Sequence, residues 1–514
     1  MKIILIVVFC FLSLPSTLLA AKLNLDTITE SQAQEIASLL YLGPNQDSKP
    51  NSFYLSETAV LDIELQALFE QNSTDSRCKF PARYYWLSLQ ENLTGNFSVE
   101  HCFNNTIANP FAESGVATTV IFADASNRSP MSYFGHILLG FSFNRGAPYF
   151  DHVVTFTADT GDSKSPIDTI TKGVNGGFEG RFSEQVFHPI IEQYTNIENR
   201  SLTIFDLNIE HEKSILLYLH TKELQKTTYP YKFFSYNCSS EILRAIQAVK
   251  ILEDNQEHLR IYPIDILNRL DKKGITNKNN ATTMLALSKK DPTPENKKLF
   301  RSVITSNTQP IFTTPRKIST GVQKFSGKYY SGIGFKLGYK GIDSPFSTTL
   351  NDRNTFNFLD IEAVDINGSP KIKKINIIEL ESLNAKYISE NTSIAWSYKT
   401  VIDRHSNQEN ELSDSSSIGV GIAHTTPRIT ISYLPEVAIS IRENFATPRI
   451  KAEAFLYSQP FFFGIKHKTR SFINSKLTKQ TEIVAAIQPL SNVQITARHE
   501  LDSDSNSIHL EYFF

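Results

Sequence analysis

Beyond residue 316 the chain alternates apolar and polar side chains with a period of two, and this pattern constrains the fold more than any other feature. In YSGIGFKLGYKG (330–341) every second residue from Ile333 to Tyr339 is apolar, with glycine and lysine between. The final SIHLEYFF repeats the alternation. About twelve runs fit this template, and turn signals such as Asn367-Gly368 separate several of them. The pattern predicts a series of antiparallel strands with two different faces.

A soluble sandwich and a membrane barrel both show such alternation. The apparently even strand count, the aromatic residues near strand ends and the terminal Phe514 favour an outer-membrane barrel. In lipid every backbone polar group must be paired, so only helices or a closed barrel can span. After the N-terminal segment, no apolar run approaches the roughly 20 residues that a membrane helix needs. We therefore predict an antiparallel transmembrane β-barrel of about twelve strands over residues 316–514.

The N-terminus, MKIILIVVFCFLSLPSTLLAAKL, has the layout of a secretory signal peptide. Lys2 precedes an apolar run, and the small residues Ala20 and Ala21 close the segment, so we assign residues 1–21 to the signal. Cys10 lies within this segment and is expected to be removed. The remaining chain of about 490 residues is too long for one ordinary core. Its net charge of −2 does not favour a nucleic-acid partner.

Residues 22–115 contain two helical patterns. The first, ITESQAQEIASLLYL (28–42), has Thr29 as a cap, and the second, SETAVLDIELQALFE (56–70), has Ser56. This region is therefore predicted to be helical.

Residues 116–270 are predicted to form an α+β domain. They begin with short β-branched and aromatic runs that are typical of strands. A Gly-rich loop, KGVNGGFEGRFS (172–183), follows, and then helical patterns around 210–226 and from Ser239 or Ser240. Residues 271–315 are rich in Lys, Asn, Thr and Pro without a sustained apolar face, and we expect a mobile connector with at most one short helix there.

Three cysteines remain after signal removal: Cys78, Cys102 and Cys238. Export implies an oxidising compartment, where two thiols of an odd set normally pair. Cys78 and Cys102 both flank polar, loop-like sequence, so we expect a disulfide between them. Cys238, in FFSYNCSSEIL (233–243), is then the odd thiol. It can be an inert buried residue or a nucleophile.

Cys238 stands just before an apparent helix, whose N-terminal N–H groups and dipole favour a thiolate, so a lowered thiol pKa is expected. A cysteine nucleophile also needs a base nearby in space. Of the 12 histidines, His136 lies on a predicted strand, SYFGHILLGF, that heads into the core. A core histidine with one satisfied hydrogen bond is the alternative. No Cys or His pair stands at ligand spacing around either residue, so neither a metal nor a cofactor is predicted.

Four segments, taken in order, resemble the periplasmic catalytic domain of the Lnb-type lipoprotein N-acyltransferase family. They are SYFGHILLGF, TKGVNGGFEGRFS, ENRSLTIFDLNI and YPYKFFSYNCSSEIL. Upstream, CKFPARYYWL is similar to the cysteine-bearing segment that often precedes this domain in barrel-carrying relatives. The resemblance covers about residues 27–270, and the barrel arrangement extends it to the C-terminus. It implies a permuted papain-like (NlpC-like) α+β fold, in which the histidine strand precedes the cysteine helix.

By this resemblance Cys238 matches the family nucleophile and His136 the histidine that serves as its base. The resemblance does not fix the third group, which orients the imidazole. We choose His152, in YFDHVVTF, for that role, with a structural role as the alternative.

Three further residues are candidates for contacts with substrate. Asn237 can donate to an oxyanion or fix the turn before the helix. Arg181 can bind a phosphate or carboxylate, or form a structural ion pair. Gly177 and its neighbouring glycines can let the backbone approach a ligand, although their spacing fits no nucleotide motif.

The resemblance implies a periplasmic cysteine acyltransferase or acyl hydrolase, anchored in the outer membrane by its barrel, that acts on lipid or lipoprotein acyl groups. The acyltransferase that gives the family its name carries membrane helices instead of a barrel, so the acceptor stays open. A cysteine amidase or peptidase acting on peptidoglycan is the second hypothesis and predicts an open polar groove. A non-enzymatic barrel scaffold is the third and predicts an unreactive Cys238.

Overall fold

A computed structural model describes most of the chain. The described residues are 28–42, 53–56, 58–125, 132, 134–143, 150–161, 168, 172–173, 175–198, 200–253, 261–277, 280–285, 305–306, 315–325, 328–341, 354–366, 368–388, 392–404, 412–426, 428–440, 445–458, 460–470, 478–490, 492–502 and 505–514. The expected signal peptide, residues 1–21, lies outside them.

The N-terminal half contains all of the described α-helices. They are α1 Glu30–Leu39, α2 Leu61–Glu70, α3 Thr74–Lys79, α4 Pro81–Ser88, α5 Phe187–Ile191, α6 His211–Leu224, α7 Cys238–Ala248 and α8 Pro263–Lys272. As predicted, Thr29 caps α1: its hydroxyl accepts from the N–H of Gln32, and the Gln32 side chain accepts from the N–H of Thr29. The predicted cap of α2 is wrong, because that helix starts at Leu61 and the Ser56 hydroxyl instead donates to Glu64. None of the helices in this part is long and apolar enough to cross a membrane.

An eight-stranded sheet forms the centre of the N-terminal half. Its strands are β1 Ala117–Ala123, β2 His136–Ser142, β3 His152–Ala158, β4 Phe178–Val186, β5 Leu202–Asp206, β6 Thr228–Tyr231, β7 Thr282–Met284 and β8 Thr305–Ser306. They lie in the order β6-β4-β3-β2-β1-β5-β7-β8, and each neighbouring pair is antiparallel.

Each face of this sheet is covered by helices. On one face, Ile242 and Ile246 of α7 pack with Ile137 and Leu139 of β2 in the main core. On the other face, α5 and the π-helical segment Glu192–Ile197 cover a smaller cluster around Leu138.

Two expectations about this half need correction. The second half of the predicted Gly-rich loop, 172–183, belongs to strand β4, because Phe178 and Phe182 alternate with exposed residues in the period of a strand. The expected mobile connector, 271–315, contains the end of α8 and the short strands β7 and β8, which extend the sheet.

A disulfide and a buried ion-pair cluster stabilise the helical region. As expected, Cys78 and Cys102 form a disulfide, which ties α3 to the turn at Glu100–Cys102. Arg83 of α4 is fully buried, and its guanidinium ion-pairs with Glu64 at 2.7 Å and Glu223 at 2.9 Å. A buried guanidinium needs such partners, because an uncompensated charge in a dry interior is costly.

The C-terminal half is a closed barrel of twelve antiparallel strands, as the alternation predicted. They are β9 Lys317–Phe325, β10 Lys328–Lys340, β11 Asn354–Ile366, β12 Ser369–Tyr387, β13 Thr392–Arg404, β14 Leu412–Thr425, β15 Ile429–Ser440, β16 Phe445–Ser458, β17 Phe461–Arg470, β18 Thr478–Leu490, β19 Val493–Glu500 and β20 Ser505–Phe513. Strand β20 pairs with β9 and closes the ring.

The two faces of the barrel wall differ in chemistry. Every second residue of β15 is exposed, and the exposed set includes Ile431, Val437 and Ile439. On the inside, charged side chains of neighbouring strands form ion pairs, as in Lys399–Glu379 at 2.8 Å and Lys317–Glu511 at 3.1 Å. An apolar outer wall around a polar interior is the arrangement of an outer-membrane barrel.

The orientation of the barrel follows from the chain path. Strand β9 is entered from the N-terminal half, so the starts of the odd-numbered strands and the ends of the even-numbered strands lie on the side of that half. Connections on this side range from the short one between Ser458 and Phe461 to the longest of the barrel, between Lys340 and Asn354. Loop length therefore does not distinguish the two sides of the barrel.

Candidate active site

Cys238 is the first residue of α7, and Asn237 fixes it there. The Asn237 Oδ1 accepts from the N–H groups of Ser239 at 2.8 Å and Ser240 at 3.0 Å, and the Ser240 hydroxyl accepts from the Asn237 N–H at 2.8 Å. This reciprocal cap satisfies N–H groups that a helix start leaves free. The sequence N-C-S-S therefore places a thiol at the N-terminus of a helix.

The Cys238 thiol is buried, with the residue only 6% exposed. Burial raises the pKa of this thiol above its ordinary value, although hydrogen bonds from the N–H of Ile137 and from Ser239, and the charge of Arg200, oppose the shift. The expected lowering of the thiol pKa by the helix N-terminus is therefore wrong for this structure, because burial outweighs the dipole. The resting residue is a protonated thiol.

His136 is the first residue of β2, and Ile137, whose N–H reaches the Cys238 sulfur, follows it directly. The His136 Nε2 is hydrogen-bonded to the Thr155 hydroxyl at 2.8 Å, and its ring stacks on Tyr194 with centroids 6.4 Å apart. Burial, reinforced by the Arg200 charge, lowers the pKa of His136 to about 3. At neutral pH the thiol is therefore protonated and the imidazole neutral. The imidazole lies with Leu138 and Tyr194 on one face of the sheet, whereas α7 packs on the Ile137 face. In the described contacts the ring is bonded to Thr155 and not to the sulfur.

Sequence reasoning missed three residues around this pair: Thr155, Tyr194 and Arg200. Thr155 is opposite Leu138 in the β2–β3 register, and Leu138 lies two residues after His136 on the same face of β2. The side chains of Thr155 and His136 are therefore neighbours on one face of the sheet. Arg200 is buried beside the Tyr194 ring at 4.6 Å, and its Nη1 ion-pairs with Glu198 at 2.8 Å. Arg200 lies within ENRSLTIF, one of the segments that carried the family resemblance, so a signal for it was present.

The choice of His152 as the third group is wrong. His152 lies opposite Phe141, at the far end of the β2–β3 ladder from His136. Its Nδ1 donates to Glu184 at 2.6 Å. It is therefore part of a separate ion-pair cluster, and Thr155 takes the place beside the His136 ring.

The three predicted substrate contacts do not reach the thiol as expected. Both amide hydrogens of Asn237 are donated to carbonyls, those of Phe233 at 2.8 Å and Ile261 at 3.2 Å, so this side chain fixes the turn. Arg181 is exposed and ion-pairs with Glu179 at 3.4 Å. Gly177 is exposed, and its N–H donates to the Lys172 carbonyl.

The glycine in this loop that approaches the site is Gly173. Its carbonyl accepts from the Phe233 N–H at 2.8 Å, and a Cβ at Gly173 would lie 2.4 Å from the Phe233 ring. Glycine at this position therefore lets the loop pack against Phe233, which lines the pocket described next.

An apolar pocket of about 40 Å³ opens onto the thiol. Its lining comes from four segments of the N-terminal half and from two strands of the barrel. The lining residues are Phe134, Gly135, Tyr231, Phe233, Phe234, Asn237, Cys238, Ser239, Ile261, Tyr262, Pro263, Phe356, Phe358 and Ile378. Most of these side chains are aromatic or aliphatic, so the pocket suits an alkyl group better than a peptide or glycan.

Among the described residues one group has the composition of a metal site: Cys78, His101 and Cys102. The two sulfurs are joined in the disulfide, so they are not thiolate ligands. The His101 Nε2 lies 3.5 Å from the Cys78 sulfur and 3.4 Å from the Cys102 sulfur. We assign this group to the disulfide.

Comparison with known proteins agrees with this two-part organisation. Residues 113–273 match the family model described as the Lnb N-terminal periplasmic domain. No curated protein matches the chain. The barrel is similar to solved outer-membrane structures, which show its fold only.

Three of these solved structures illustrate the similarity. Salmonella typhi OmpF in complex with daunomycin is 9% identical, with 39% of this chain and 96% of that chain covered and a TM-score of 0.23. Acinetobacter baumannii Omp33 is 10% identical, with 40% and 100% covered and a TM-score of 0.22. The translocator domain of the autotransporter NalP from Neisseria meningitidis is 12% identical, with 40% and 89% covered and a TM-score of 0.19. Residues 113–273 of this chain are thus similar to the Lnb N-terminal periplasmic domain, and a twelve-stranded β-barrel of the outer-membrane type follows them.

Proposed function

We propose that the protein is a cysteine acyltransferase or acyl hydrolase, which acts on acyl esters of lipids or lipoproteins at the periplasmic side of the outer membrane. Cys238 is the nucleophile, His136 is the base, and Thr155 holds the imidazole. The single observation that supports this most is the Cys238 thiol, held at the N-terminus of α7 and open to an apolar pocket.

The first half-reaction forms a thioester. With its Nε2–H donated to Thr155, the imidazole has its Nδ1 lone pair free to accept the thiol proton. The sulfur then attacks the ester carbonyl carbon, and the ester C–O bond breaks. The leaving alcohol takes the proton from the imidazolium.

The second half-reaction releases the acyl group. An amine or water, deprotonated by His136, attacks the thioester carbonyl, and the S–C bond breaks to regenerate the thiol. An amine acceptor gives transfer and water gives hydrolysis. The Arg200 guanidinium, whose charge lowers the pKa of both Cys238 and His136, stabilises negative charge that develops at the site.

The amidase and scaffold hypotheses receive less support from the pocket. A peptidoglycan amidase requires a groove with many polar groups for a peptide or glycan, whereas this lining is mainly aromatic. A scaffold requires no base beside a buried thiol. Neither hypothesis accounts for an apolar pocket that ends at a cysteine.

The test is lipid turnover by full-length protein in phospholipid vesicles. We expect wild-type protein to release or transfer acyl chains, and Cys238→Ala to lose at least about 1,000-fold of that rate. Heat-dependent gel mobility verifies that the variant barrel is folded. Full turnover by a folded Cys238→Ala protein would exclude the proposed nucleophile.

A further inference from the structure

The pocket at Cys238 is shared between the two halves of the chain. On one side lie Phe134 and Phe234 of the periplasmic domain, and on the other Phe356 and Phe358 of β11. Phe134 meets Phe356 edge-to-face with centroids 4.8 Å apart, and Phe234 stacks on Phe358 at 4.3 Å. We name this contact, with Ile378 of β12, the aromatic seam.

The strand register shows which face of the barrel carries the seam. Phe356 is opposite Leu380, Leu380 is opposite Tyr398, and Tyr398 is opposite Ile418. Directly opposed residues of antiparallel strands lie on the same face. Ile418 is 53% exposed on the outer wall. The seam therefore lies on the outside of the barrel, the face that meets lipid.

A local irregularity turns these aromatics outward. Asp360, two residues after Phe358, faces the lumen, where it ion-pairs with Lys336 at 3.4 Å and Lys374 at 3.2 Å. Alternate residues of a regular strand share one face, so the strand must reverse its faces between Phe358 and Asp360. Leu359 has φ of 52°, in the left-handed region. Strand β12 carries a matching bulge between Asn376 and Ile378.

The seam also has a defined depth. Phe356 is the third residue of β11, which starts on the periplasmic side. Trp396, which packs with Phe356 and Leu380, is the fifth of the thirteen residues of β13, which starts on the same side. Such aromatic residues mark the membrane–water interface of a barrel. The pocket therefore meets the bilayer at the level of its periplasmic leaflet.

Polar contacts beside the seam hold the periplasmic domain against the barrel. The Tyr262 hydroxyl donates to the Leu337 carbonyl at 3.0 Å, and Arg316 ion-pairs with Asp265. A Cβ at Gly338 would lie 3.1 Å from the Tyr262 hydroxyl and 3.3 Å from the Phe134 ring, so glycine permits this close approach.

We infer that the aromatic seam is an acyl-chain binding site. An acyl chain of a phospholipid in the periplasmic leaflet enters the seam laterally from the bilayer and extends to Cys238. The seam lies on the lipid-facing wall, its depth is that of the leaflet, and its apolar lining continues to the thiol. The lipid headgroup stays at the interface while the chain enters between the domain and the barrel. The inference rests on the proposed function only for the later transfer of the acyl group to Cys238. Binding of the acyl chain at the aromatic seam does not depend on that transfer.

The experiment separates binding from chemistry by using full-length Cys238→Ala protein. It is reconstituted into vesicles of phosphatidylethanolamine whose acyl chain carries a photoreactive diazirine. After illumination, mass spectrometry should find cross-links concentrated on peptides that contain Phe134, Phe234 and Phe358. Phe358→Ala should reduce the domain-side cross-links at least about fivefold, since the chain loses one wall of its site. Phe358→Leu should restore most of them.

The matched control is Phe461, an exposed aromatic near the periplasmic end of β17 and outside the seam. Phe461→Ala should leave the seam cross-links unchanged. Cross-links spread evenly around the barrel, or unaffected by Phe358→Ala in a barrel with normal heat-dependent mobility, would overturn the inference. The inference would also be overturned if a photoreactive lipopeptide labelled the seam and the phosphatidylethanolamine probe did not, because a different lipid would then occupy the site.

The two proposals can fail separately. Seam cross-links, together with a wild-type protein that never turns over lipid, would leave the binding site and remove the proposed enzyme. Lipid turnover through Cys238 without seam cross-links would keep the enzyme and remove this route of entry.

Discussion

Two histidines on neighbouring strands of one sheet show how differently the same side chain is used. His136 begins β2 and is half-buried, and its polar contact is the Thr155 hydroxyl. His152 begins β3, and because the strands are antiparallel it lies at the other end of the sheet, beside Glu184. Position in the strand register, rather than residue type, therefore decides which histidine can serve Cys238.

The chemistry of the two ends also differs. At the Glu184 end, burial raises the pKa of the carboxyl, but the hydrogen bond from His152 and the charge of Lys222 outweigh it and lower this pKa to about 2. Gln225 and Tyr218 donate to the same carboxylate. At the Cys238 end, burial instead lowers the pKa of His136 to about 3 and raises that of the thiol. One end is a saturated ion pair suited to stability, and the other holds a neutral imidazole and a protonated thiol.

The largest expected difference is in catalysis. His136→Gln should reduce lipid turnover by about 10²- to 10⁴-fold, because it removes the general base. The matched variant His152→Gln, one strand away, should retain turnover within about threefold, because its contacts with Glu184 and the Phe143 ring lie at the other end of the β2–β3 ladder. Initial rates in phospholipid vesicles measure both. Equal losses of turnover in the two variants would show that both substitutions act by destabilising the fold and not by removing a catalytic base.

The second expected difference is in stability. Glu184→Gln should destabilise the periplasmic domain by roughly 3 kcal/mol at pH 7, since a pKa about 2.5 units below 4.5 corresponds to that free energy. A carboxyl with a depressed folded pKa contributes fully above its unfolded pKa. The difference between wild type and variant should therefore be complete above about pH 4.5 and disappear as pH falls towards 2.

The measurement can use a single tryptophan. The protein has two, and Trp86 lies in the helical region while Trp396 lies in the barrel. In a Trp396→Phe background, Trp86 fluorescence follows thermal unfolding of the N-terminal half in the intact protein. The stability of this background is compared with that of the same background carrying Glu184→Gln. A difference that stays constant from pH 7 to pH 3 would contradict the assigned ion pair.

Local patterns predicted those parts of the molecule whose causes are local. The period-2 alternation predicted the strands, and the even strand count, the aromatic residues near strand ends and the terminal Phe514 favoured a closed barrel, since lipid leaves few other ways to pair a strand. The capping box at Thr29 and Gln32 is contained within four residues, so helix α1 was predictable too. The pairing of Cys78 with Cys102 followed from the redox compartment and an odd number of thiols.

Properties that depend on tertiary packing were not predictable from the sequence. Thr155 stands beside His136 only because Leu138 is opposite Thr155 in the register, and no sequence pattern sets that register. The direction of the Cys238 pKa was predicted wrongly, because the helix dipole is visible in a sequence and burial is not. The outward turn of Phe356 depends on the left-handed backbone at Leu359, which no residue preference indicates.

The central claim is that Cys238 carries the acyl group during turnover, and a covalent intermediate tests it most directly. Wild-type protein in phospholipid vesicles is quenched with acid during turnover and digested, and the Cys238 peptide is weighed by mass spectrometry. We predict a mass increase equal to one acyl chain, which neutral hydroxylamine removes as it does other thioesters and which His136→Gln protein accumulates far more slowly. An unmodified Cys238 peptide during active turnover, or an acyl group on another residue, would contradict the account.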